Sequence, residues 1–130
     1  MPDVVDAHAL TSAARDLLRI DSDVTAGLWP RAAALLARQA LELGLEQLYR
    51  AVAPGLEETS MRCQLLCAGT MLNDRELGGR VAATWNVLSD GCHHRVYELP
   101  PAAAELNVAI ATVWALAEAV ERTRGRVRGA

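Results

Sequence analysis

The stretch Pro30–Ala53, PRAAALLARQALELGLEQLYRAVA, decides the fold. Ala34, Ala37, Leu41, Leu45, Leu48 and Val52 recur at intervals of three and four, which lines one face of a helix with apolar side chains. Pro30 stands at the helix start, where N–H groups lack a partner anyway, so its missing donor is tolerated. Arg38, Glu42, Glu46 and Arg50 stand four apart on another face and can pair along it, each pair adding roughly 0.2–0.5 kcal/mol. Pro54-Gly55 ends the segment.

Working outward, the same period recurs on both sides. Upstream, Leu10, Ala13, Ala14, Leu17 and Leu18 predict a helix over about Val4–Ile20, closed by the run IDSDVTAG. Downstream, a helix is expected over Glu57–Met71, with Met61, Leu65, Ala68 and Leu72 inward and Glu57-Glu58 facing the positive helix start. Asn73 then reads as an N-cap with Glu76 in the reciprocal position. A fourth helix carries Leu77, Val81, Trp85, Leu88 and Cys92 inward, and Pro100-Pro101 stops whatever precedes it. The last helix, about Ala102–Arg122, presents Leu106, Ile110, Val113, Ala117 and Val120. No stretch alternates long enough to make a strand. The expected fold is all-α: an antiparallel bundle of about five helices in one domain, residues 1–130, with an arginine-rich flexible tail over 122–130.

Composition agrees with this. A chain of 130 residues can bury one core, and with 52% hydrophobic residues, 4% aromatic and no Phe that core must be built from Ala, Leu and Val. All 13 basic residues are arginine, yet the net charge is -3, which argues against a protein that wraps nucleic acid. No apolar run is long enough to cross a bilayer, and three cysteines without a framework spacing fit reduced thiols in a cytoplasm. Gly78-Gly79-Arg80 has neither the strand before it nor the lysine after it that a phosphate-binding loop needs, so the glycines are read as allowing close helix approach or bending the helix start. No cofactor is expected.

Reactive side chains gather in Trp85–Pro101, WNVLSDGCHHRVYELPP. Ser89 and His93 would be neighbours on a continuing helix, and Cys92 beside a histidine could form a thiolate pair, but no orienting acid or oxyanion donor accompanies either. Cys63 and Cys67 lie one turn apart, and with Cys92 and His93 or His94 they could supply four zinc ligands; packing as small hydrophobes is the competing reading. His93, His94, Arg95, Tyr97 and Glu98 either complete a polar helix end or line a groove for an anionic ligand or an RNA phosphate. Such a groove would be formed between two copies through Trp85 and Tyr97.

The segments ARQALELGLEQLY and LSDGCHHRVYEL, followed by a closing amphipathic helix, resemble the HEPN superfamily of small prokaryotic helical bundles over about Pro30–Val120. The resemblance implies a bacterial cytoplasmic protein, commonly a homodimer: either a metal-independent ribonuclease or toxin, or an inactive partner in a toxin–antitoxin or defence module. Active members carry Arg, four to six residues, then His. His93 or His94 matches the histidine, but Asn86, Val87, Leu88 and Ser89 fill the places from which the arginine would come, Arg80 is too far upstream and Arg95 lies on the wrong side. The resemblance therefore implies a non-catalytic binding or regulatory role, with protein or RNA as partner. Its alternative is a ribonuclease in which Arg80 or Arg95 substitutes, since an imidazole without a preorganised cation loses much of its electrostatic support.

Overall fold

The structure, a computed structural model, describes residues 6–17, 29–92 and 103–129. Leu18, the run Ile20–Gly27 and Pro100-Pro101 lie outside them. Five α-helices follow in order: α1 (Ala7–Leu17), α2 (Trp29–Val52), α3 (Met61–Met71), α4 (Arg75–Cys92) and α5 (Ala103–Gly129). A short 3-10 turn, Leu56–Glu58, precedes α3. The described residues contain no strand.

The α2 stripe buries as its period dictates. Ala34, Ala37, Leu41, Leu45 and Leu48 are fully enclosed, with Val52 half-buried at the end. Each such leucine is worth roughly 1.5–3 kcal/mol of burial. On the other face Arg38 pairs with Glu42 at 3.1 Å and Arg50 with Glu46 at 2.6 Å, as the four-residue spacing predicts. Leu106, Ile110, Val113, Ala117 and Val120 of α5 complete the same core, which also takes in Ala68 of α3 and Leu77, Val81 and Leu88 of α4. In α1 the most enclosed positions are Ala7, Thr11 and Ala14, with Leu10 and Leu17 at the core margin.

Not every neighbouring pair is antiparallel. Arg80 of α4 reaches Thr112 of α5, and Val87, later in α4, lines the same groove as Glu105, earlier in α5, so α4 and α5 run in opposite directions. Gly44 of α2 faces Leu116 of α5, while Arg50 lines one groove with Arg124 and Arg128, so α2 and α5 run the same way.

Three boundaries differ from the sequence expectation. Glu57 and Glu58 do not open α3; they belong to the 3-10 turn, and Ser60 caps the helix by accepting from the Cys63 N–H at 3.2 Å. Asn73 does not cap α4. It takes φ 54 to close α3, and Asp74 accepts from the Leu77 N–H at 3.0 Å. Asn and Asp both cap helices, but Asn tolerates the left-handed region better, so adjacent residues divide the two roles. The last helix runs on past Arg122 to Gly129, because arginine is a good helix former and cations favour a helix C-terminus.

The hairpin of α3 and α4 closes on glycine. A Cβ on Gly78 would fall 2.5 Å from the Gly69 Cα, so two backbones touch where any side chain would hold them apart. Gly79 meets nothing within 4 Å.

Candidate functional site

Helix α4 leads toward the histidine pair. His93, His94, Arg95, Tyr97 and Glu98 lie outside the described residues, as does the Cys92 side chain. What the structure places is the approach to them, Trp85 and Ser89. The Ser89 Oγ is buried and has no hydrogen-bond partner among the described residues, so it makes neither the backbone bond that its helical position offers nor an exposed nucleophile.

Trp85 is half-buried. Its inner edge packs on the core, and the Arg38 guanidinium stands 5.1 Å from its ring centroid, held there by Glu42. The outer edge lines a groove of about 390 Å³ between α3 and α4, shared with Arg62, Leu65, Leu66, Ala82 and Asn86. Leu66 projects from the groove wall with 75% of its surface exposed. A second groove, about 360 Å³, runs between α4 and α5. Arg80 crosses it to Thr112 at 3.4 Å, and Val108, 71% exposed, stands on its wall. Arg80 is thus engaged across α5.

Cys63 and Cys67 do share a face of α3, half-buried, over Tyr49 of α2. The Tyr49 hydroxyl donates to the Gln64 carbonyl, and the Gln64 amide donates to the carbonyls of Glu57 at 3.1 Å and Thr59 at 3.0 Å, tying the turn, α3 and α2 together. Burial, then the neighbouring Cys67 and Cys63 thiols, push the Tyr49 phenol well above its usual range. Partial desolvation, then the Cys63 thiol, push the Cys67 thiol upward as well. Among the described residues no three His, Cys, Asp or Glu side chains converge on a point; Cys92, His93 and His94, the other ligands of the four-ligand zinc reading, lie outside them.

One cluster escaped sequence reasoning. His8 of α1 packs edge-on to Trp114 of α5, ring centroids 4.4 Å apart, and Arg15 lies 5.1 Å from the same ring. The Trp114 indole donates to Glu118 at 2.8 Å. The His8 Nδ1 is buried without a partner among the described residues. The only sequence signal was that His8 and Arg15 are two helical turns apart, and nothing local pointed to Trp114.

No described helix is long and apolar enough to cross a membrane. Compared with known proteins, the chain matches no family model, no curated protein and no solved structure.

Proposed function

We propose that this chain is a HEPN-like helical domain with a binding or regulatory role, of the kind found in toxin–antitoxin and defence modules, and that it works as a homodimer through the α3–α4 face. The observation that carries this reading is the groove beside Trp85 with Leu66 projecting from its own wall. Knob and hollow on one face are what a two-fold interface requires, because each copy must offer the patch that the other receives. Trp85 supplies a large, partly pre-buried anchor, the residue type that dominates interface energetics. Seated on the partner's groove, Leu66 loses an exposed apolar surface that otherwise costs solubility. In this arrangement the segment carrying His93, His94, Arg95, Tyr97 and Glu98 continues from the helix that forms the interface, and it is where a protein or RNA partner engages.

Sedimentation equilibrium tests the proposal. The wild-type chain sediments as a dimer. Leu66→Glu sediments as a monomer with an unchanged helical spectrum, since an exposed substitution shifts stability by no more than about 0.5 kcal/mol. A wild-type monomer, or a Leu66→Glu dimer, contradicts the proposal. Incubation with RNA tests the non-catalytic reading. Cleavage by the wild type and none by a His93→Ala, His94→Ala double variant would make the protein a ribonuclease instead.

A further inference from the structure

We propose that Cys63 and Cys67 form a two-coordinate site for a soft, thiophilic monovalent ion of the Cu(I) type. The two residues stand one turn apart on α3 and both are partly exposed, so an ion can reach them without opening the fold. Side chains four apart on a helix keep their Cβ atoms about 5–6 Å from one another. Metal–thiolate bonds run roughly 2.3 Å, so a sulfur–metal–sulfur bridge spans a little under 5 Å and fits between adjacent turns with ordinary rotamers.

The donor set selects the ion. Two sulfurs from one helix face are by themselves a two-ligand set, fewer than the four ligands that zinc takes, and offer no oxygen cage for calcium or magnesium. Thiolate sulfur instead favours soft ions, and Cu(I) is among those that thiolates select. The helix also fixes the pair. Ser60 caps its first turn at the Cys63 N–H, and the buried Gln64 side chain anchors the turn between the two cysteines to Glu57 and Thr59. Beneath them Tyr49 closes the inner side, fully enclosed and bonded to the Gln64 carbonyl, so the thiols are open only outward. Binding releases both thiol protons to solvent as two metal–sulfur bonds form, with no change in the oxidation state of sulfur or metal.

The experiment uses the full chain with Cys92→Ser, which leaves this pair as the sole thiols, and measures Cu(I) uptake anaerobically against a chromophoric Cu(I) chelator. One equivalent binds per chain. Adding Cys63→Ser or Cys67→Ser lowers retention at the same chelator concentration at least tenfold. As a second readout, one equivalent of phenylarsine oxide consumes both thiols of the Cys92→Ser protein, joining arsenic to two sulfurs and releasing water, so that Ellman titration falls from two thiols to none. Circular dichroism verifies that each variant keeps its helix content. Less than half an equivalent of Cu(I) in the Cys92→Ser protein, or retention unchanged by either further serine, overturns the assignment.

Discussion

The α2–α5 pair and the α3–α4 hairpin are built by different means. Between α2 and α5 the contact is a broad apolar seam, with Leu41, Leu45, Leu48, Ile110, Val113 and Leu116 all enclosed. In the hairpin two helices meet backbone to backbone at Gly69 and Gly78, and a single amide, Gln64, ties the entry turn. A seam that spreads its energy over many side chains yields by degrees. A joint that depends on one missing Cβ or one polar tie yields at a point.

Four sets of substitutions sharpen that difference. Leu45→Ala in the seam should cost the most, about 2–5 kcal/mol by chemical denaturation, while the volume-conserving Leu45→Met should cost less than about 1.5. Equal losses from both would mean that the seam is as shape-specific as the hairpin. In the joint, Gly78→Ala should destabilise by about 1–3 kcal/mol, because its methyl group must push α3 away. Gly79→Ala, one residue on and facing open space, should stabilise by roughly 0.5–1 kcal/mol by removing glycine's unfolded freedom. The opposite signs are the test, and equal signs would remove the close approach from the account.

Tyr49→Phe removes the tie from α2 to α3 and should cost about 1 kcal/mol at neutral pH. The alkaline side adds a sign. The folded phenol holds its proton above the range in which the unfolded phenol ionises, so its contribution is complete below about pH 10 and is lost as pH rises past it. Stability of the wild type should therefore fall more steeply above about pH 10 than that of Tyr49→Phe. Parallel curves would show that Tyr49 is not held neutral by its surroundings. Arg38→Ala, which removes the pair with Glu42 and the guanidinium beside Trp85, should have the smallest effect, about 0.2–1 kcal/mol, and less at high salt.

The same difference explains what could be read in advance. Ala34, Leu41, Leu45, Ile110 and Val113 repeat at helical intervals, and burial follows the repeat because a long helix has only one face to hide. The ends of α3 were harder. Ser60 has no acidic residue three positions on to announce it as a cap, and Cys63 occupies that place, whereas Glu57-Glu58 carry the charge that suits a helix start but sit in a 3-10 turn. Asn73 and Asp74 are both capping types, and only the backbone path assigns them. The Gly78-Gly79 pair could be read as allowing close approach or bending the helix start, but which glycine makes the contact, and that Gly69 receives it, could not, since a glycine has no side chain to pattern.

Site reading divides the same way. Cys63 and Cys67 were legible as one face because they share a helix, whereas Trp85, expected inward with its stripe, is only half-buried at the core margin. The groove beside Trp85 was not, since it needs Leu66 from α3 and Asn86 from α4 side by side. His8 and Trp114 lie toward opposite ends of the chain, and only the docking of α1 on α5 brings them together.

Amide hydrogen exchange at low and high protein concentration tests self-association through the α3–α4 face most directly. Residues 62–66 of α3 and 82–86 of α4 should exchange more slowly in the concentrated sample, with α1 unchanged. Slowing confined to other helices, or none at any concentration, would contradict it.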